Sequence, residues 1–179
     1  MSKIIQRAFL IAMSLAVLNL AGCAAPASRE SMSAPKLNLS KKYPYSVAVE
    51  TKGGNETGAM DSSGISNADF KAAIESSIVQ SGLFKNIVQG KNGDYELTVS
   101  VIQLSKPMFG LDMKVDLETT WSLIKTSDKS VAMQKVIKTA YTATPSDAFV
   151  GMTRLRLAVE GAARENIAQG LKAISEAGL

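Results

Sequence analysis

The chain holds one cysteine and no histidine, and those two counts decide most of the chemistry open to it. Cys23 carries the single thiol, the one sulfur nucleophile of the protein. It closes the stretch Leu20-Ala21-Gly22-Cys23, in which Ala21 and Gly22 have almost no side chain and leave the Gly22–Cys23 bond open to a protease. Lys3 and Arg7 precede a 13-residue run, 8–20, whose polar members are Ser14 and Asn19. A charged start followed by a short apolar run is the pattern of an export signal, and the run falls short of the ~20 residues a spanning helix needs. Without histidine, Ser-His-Asp and Cys-His catalysis and zinc sites of the His and Cys kind are excluded. Carboxylate, lysine, tyrosine or serine-lysine chemistry remains open. No convergent set of such groups stands out, so the reading is of a non-enzyme with no catalytic residue, no metal ligand and no cofactor.

Leu20-Ala21-Gly22-Cys23 resembles the lipobox of bacterial lipoproteins. That resemblance implies cleavage between Gly22 and Cys23, thioether-linked diacylglycerol and an N-acyl chain such as palmitate on Cys23, and a membrane anchor made of lipid. Two or more acyl chains hold stably where one is marginal. Ala24 stands where aspartate would signal retention in the inner membrane of enteric-type bacteria, so the resemblance implies the outer membrane and its periplasmic face. Lipidation would also account for an unpaired cysteine in an exported chain.

Three further groups of residues invite a functional reading, each beside a plainer one. Lys106-Pro107-Met108-Phe109-Gly110-Leu111 is an apolar loop between two strands, and its Met108, Phe109 and Leu111 form a candidate partner contact, docking into a membrane protein or dipping into lipid. The favoured alternative folds Phe109 and Leu111 back to close the end of the core. Lys114, Asp116 and Glu118 with Glu96 resemble the beginnings of a paired-carboxylate site, but strand alternation places them on a solvent face, where cross-strand ion pairs are common. Asp147 with Arg154 and Arg156 lies where the last helix begins, and an acid there complements the helix dipole. Trp121 falls on the inward parity of its strand and reads as a core anchor.

The elements that must position these groups follow from periodicity. Removing residues 1–22 from the 179 leaves 157, one domain's worth. The net charge of +4 loses Lys3 and Arg7 with the signal and falls to about +2; the basic residues are scattered, so no nucleic-acid partner is expected. The lipidated cysteine and a flexible tether rich in Pro, Ser and Ala span 23–44, and one α+β periplasmic domain spans 45–179. Val47 and Val49 alternate with Ser46, Ala48 and Glu50 in a strand over 45–51. The glycine-rich loop that follows lacks the Lys-Ser/Thr pair of a phosphate cradle after Gly58. Ser66 caps a helix over 67–81 whose stripe is Phe70, Ile74 and Ile78, and Gly82 ends it. A short strand over 83–88 leads to Asn92-Gly93, the signature of a tight hairpin. Three alternating strands follow, with Tyr95, Leu97, Val99 and Val101, then Met113 to Leu123, then Val131, Met133, Ile137 and Tyr141 facing inward. A last helix over 153–176 buries Leu155, Val159, Ala162, Ile167, Leu171 and Ile174, with Ala158, Gly161 and Ala163 keeping it thin enough to press on the sheet. The order β-α-β-β-β-β-α makes a two-layer α+β sandwich, mostly antiparallel, with two helices on one face and the first two strands parallel across a crossover.

Ser81-Gly82-Leu83-Phe84, the run from Asp94 to Val99, and the paired strands 115–125 and 131–139 are similar to those of ABC-type transport auxiliary lipoproteins, over roughly residues 67–140, and more loosely to the small α/β domain at the N-terminus of the Tol translocation protein. The resemblance implies a lipid-anchored binding or scaffold subunit, auxiliary to a transport system, with an envelope protein as partner. The other reading is a self-associating component of an outer-membrane secretion or assembly complex, joined through exposed strand edges. The sequence leaves the oligomeric state open.

Overall fold

The computed structural model of the chain describes residues 25–35, 37–58 and 63–179. Gly22 and Cys23, with the expected signal, lie outside the described residues. The elements are α1 (Arg29–Met32), β1 (Tyr43–Lys52), α2 (Asn67–Ser81), β2 (Phe84–Val88), β3 (Tyr95–Ser105), β4 (Met113–Lys125), β5 (Val131–Ala143) and α3 (Gly151–Glu176). Apart from the single turn of α1, this is the expected order. One sheet runs β2-β1-β3-β4-β5. Its long pairings, β3 with β4 and β4 with β5, are antiparallel, while β1 runs parallel to both β2 and β3. α2 packs over β1 and β2 and α3 over β4 and β5, sharing one core on one face of the sheet. The result is the two-layer α+β sandwich.

Local chemistry explains the element ends. Ser66 Oγ accepts from the Asp69 N–H at 3.0 Å and donates to its carboxylate at 2.7 Å, so Asp69 completes the cap through the hydroxyl rather than by reaching the backbone. Gly82 takes the left-handed conformation at φ 62° and returns its N–H to the Ile78 carbonyl. Met113, Val115, Leu117, Thr119, Trp121 and Leu123 are all buried, as their alternation requires.

The Asn92-Gly93 pair does not form a hairpin. β2 and β3 lie on opposite edges of β1, with Val88 beside Ala48 and Tyr95 beside Val47, so residues 89–94 must carry the chain across β1. A Cβ on Gly93 would stand 2.8 Å from the Ala48 nitrogen and 3.2 Å from the Val47 carbonyl carbon. The glycine is there to let one backbone cross another closely. Asp94 pins the crossing by accepting from the Ser46 N–H at 2.8 Å and the Ser46 hydroxyl at 2.7 Å.

A second departure is Val131, expected inward but 59 % exposed. Leu123 pairs with Met133 whereas Ile124 pairs with Val131. The extra residue, Ala132, bulges β5 and moves Val131 to the outer parity.

The third departure is the tether. Its described part is built into the domain: Ala27, Met32 and Ala34 are buried in the main core, with Leu37 and Leu39 packed against it. α1 lies against both α2 and α3. Several backbone groups of this segment, the strap, are hydrogen-bonded to side chains of the domain: the Ser28 N–H donates to Glu160 at 3.0 Å, the Ala34 N–H to the Ser77 hydroxyl at 2.9 Å, and the Ser31 carbonyl accepts from Arg164 at 2.9 Å. A few spaced small or flexible apolar side chains suffice to fill a cleft between two helices, though they show no period.

Candidate functional site

The described structure begins two residues after the expected lipidation position, and it begins on a fixed point. The Ala25 carbonyl accepts from the Ser63 hydroxyl at 2.8 Å, the Ala27 N–H reaches the Gly64 carbonyl at 3.4 Å, and the Ser63 carbonyl accepts from Lys106 Nζ at 2.9 Å. Lys106 opens the apolar loop singled out from the sequence. In that loop Met108 and Phe109 are each 86 % exposed and Leu111 is 77 % exposed. The expectation that Phe109 and Leu111 fold back onto the core is therefore overturned. The core end is occupied by Met113, Ala143 and Leu155, all buried.

A second apolar tip lies at the same end of the sheet and was not singled out from the sequence. The loop 106–112 precedes Met113, the loop 144–150 follows Ala143, and Met113 and Ala143 are register partners. Phe149 is 95 % exposed, and Val150 and Met152 are exposed beside it. Arg154 is buried and donates to the carbonyls of Ala148 at 2.8 Å and Phe149 at 2.7 Å. The signal available in the sequence was Phe149-Val150-Gly151-Met152 itself, apolar residues ahead of the buried face of a helix. A buried guanidinium is costly to place, and here it holds the backbone that displays Phe149.

The remaining expected groups are not brought together into a reactive site. Glu118 pairs with Lys138 across the strands at 3.0 Å, Asp116 with Lys114 at 3.1 Å and Glu96 with Lys129 at 3.7 Å. This is a salt-bridged outer face. A shallow depression of about 260 Å³ lies among Gln103, Asp116, Glu118 and Lys138 there and opens to solvent. Asp147 turns to Thr144, accepting from its N–H at 2.7 Å and its hydroxyl at 3.0 Å, and these bonds, the backbone one first, hold its carboxyl below the usual range. Arg156 instead faces Glu160 at 3.9 Å. Trp121 is fully buried, donating to Thr119 and Asn166. Among the described residues no group of three or more Asp, Glu, Cys or His could hold a metal ion, and no helix is long and apolar enough to cross a membrane.

No family model and no curated protein sequence matches the chain. Solved structures do share the fold. A Xanthomonas campestris protein of the family DUF330 superposes with a TM-score of 0.59 at 14 % identity, covering 80 % of this chain and 92 % of that one. Protein CT253 of Chlamydia trachomatis gives 0.52 at 10 % identity over 73 % of this chain and 98 % of its own. PelC of Paraburkholderia phytofirmans, solved as a dodecamer, gives 0.48 at 17 % identity over 80 % and 92 %. At these identities the likeness to the first two is one of fold alone.

Proposed function

We propose that the protein is a lipid-anchored cell-envelope protein, cleaved after Gly22 and acylated on Cys23, that sits on the periplasmic face of the outer membrane. It acts as a non-enzymatic binding or scaffold subunit, auxiliary to a transport system. The observation that carries this reading is the construction of the segment just after Cys23. Ala25, Ser28, Ser31 and Ala34 are each hydrogen-bonded into the domain. An anchor on Cys23 would hold a rigid module at the bilayer, as a subunit presenting a fixed surface to a membrane partner requires. The outer-face carboxylates are each matched to a lysine, which suits a solvated surface better than acid–base chemistry.

A second reading, self-association through a strand edge, is favoured by one feature. β5 is a 13-residue edge strand with Val131 and Val136 exposed, although Lys135 and Lys138 along it are the kind of charge that blunts an edge. Crosslinking in intact cells, followed by purification of the lipidated protein against a Cys23→Ala control, separates the two. Recovery of permease or other transport subunits supports the auxiliary role. Recovery of the chain alone in large assemblies overturns it in favour of self-association.

A further inference from the structure

Followed backward from β1, the strap climbs α3. The Tyr43 hydroxyl donates to the Ile174 carbonyl, the Ser40 hydroxyl to that of Ser175, Ser31 lies at Arg164 and Ser28 at Glu160. The direction is toward the N-terminal end of α3, where β5 delivers the chain into the Phe149 loop. At Ala25 the strap meets Ser63, and Ser63 meets Lys106, the first residue of the Phe109 loop. The start of the strap and both apolar tips thus share one end of the molecule, while the Ser127 turn between β4 and β5 lies at the other.

The chain outside the structure fixes what faces that end. Two peptide units separate Cys23 from Ala25, and each spans about 3.8 Å between Cα atoms. The Cα of Cys23 can therefore be no more than about 8 Å from a backbone held in place, and its lipid adds only the short thioether and glycerol link. With so short a link the bilayer surface cannot stand away from this end of the domain. The geometry points to a membrane-seated end: Met108, Phe109 and Leu111 from one loop, and Phe149 and Val150 from the other, enter the lipid interface beside the acylated cysteine. This rests on the proposed lipidation and adds a second, protein-made contact that fixes the domain's orientation. Asp112 and Asp147 flank the tips and are exposed. They remain at headgroup level and limit the insertion to the tips.

Exposed large apolar side chains usually gather where a partner or lipid covers them, and two arrangements support lipid here. Arg154 clamps the Phe149 carbonyl rather than any side chain that could seat a peptide. The two tips also come from separate loops, and the residues between them, the paired and buried Met113 and Ala143, belong to the core rather than to a groove lined by the tips.

The test uses the full lipidated chain reconstituted in phosphatidylethanolamine–phosphatidylglycerol vesicles. Phe109→Cys, Phe149→Cys and Ser127→Cys each receive an environment-sensitive fluorophore, acylated Cys23 being unreactive. The expected result is blue-shifted emission at 109 and 149, quenched by doxyl-labelled acyl chains and shielded from aqueous iodide, with the reverse at 127. Emission at 109 and 149 matching that at 127, on protein whose N-terminal peptide has the acylated mass, overturns the seated end and leaves the anchor standing. Blue-shifted tips that doxyl lipid fails to quench, together with crosslinks between copies at 109, overturn it in favour of a second copy. A labelled Cys23 on protein released by a carbonate wash overturns the anchor, and the seated end with it.

Discussion

Asn166 is fully buried on α3 and is the hub of a polar cluster inside the core. Its carbonyl oxygen accepts from the Thr119 hydroxyl at 2.7 Å and the Trp121 indole at 3.0 Å, while its amide reaches the Ile137 carbonyl at 3.3 Å. The cluster ties α3 to β4 and β5 in one register, which an all-apolar interface would fix less sharply. Asn166→Ala removes the acceptor shared by the buried Thr119 hydroxyl and Trp121 indole and the amide donor to Ile137, so it should cost about 2–4 kcal/mol in urea unfolding. Asp94 makes a different kind of residue-scale prediction. The Ser46 backbone N–H, and then the Ser46 hydroxyl, hold its carboxyl below the ordinary value. A lowered folded pKa means that its contribution is complete above the unfolded value of about 3.9 and disappears as pH falls through the lower folded value. The difference in urea midpoint between the wild type and Asp94→Asn should thus be constant near neutrality and shrink toward zero in acid.

At the scale of elements, the thin middle of α3 does what its small residues predict. A Cβ on Gly161 would collide with the Tyr141 ring, and one on Gly170 with the Trp121 indole, so the two glycines are notches that receive aromatic side chains from the sheet. Arg164 then covers the Tyr141 ring at 5.7 Å while holding the Ser31 carbonyl. The helix therefore serves as the strap's floor as well as the sheet's cover. Glu160, 3 % exposed, is the upper fastening. Glu160→Ala should loosen the strap with little harm to the sheet, at about 1–3 kcal/mol. The expected sign is faster tryptic cleavage after Arg29, with the far-UV circular dichroism of the folded protein unchanged.

Among the described residues the strap, both long helices and all five strands contribute to a single core, which is the condition for one cooperative body. Trp121 is the sole tryptophan and lies fully buried at its centre, so its emission and far-UV dichroism should trace one coincident transition in urea. Separate transitions would show that the strap or α2 folds independently. Much of this body was determined by sequence alone. Period-two alternation in β4, the Phe70, Ile74 and Ile78 stripe, and the Ser66 and Gly82 caps each report a local geometry that those residue types favour by themselves. So did the polar outer face, since alternation leaves Lys114, Asp116 and Glu118 no other side. Only the tertiary structure decided where the chain crosses itself and what it fastens. Asn92-Gly93 suits a hairpin locally, but β1 already fills the place between β2 and β3, and the glycine becomes a crossing point. Ala27, Met32 and Ala34 carry no period, and their burial depends on a cleft made by α2 and α3, more than thirty residues away in the chain. The exposure of Phe109 and Phe149 was likewise set at a distance, by a core end that Met113, Ala143 and Leu155 already occupy. Non-local contacts of this kind leave no periodic trace, because each depends on residues that sequence neighbours do not contain.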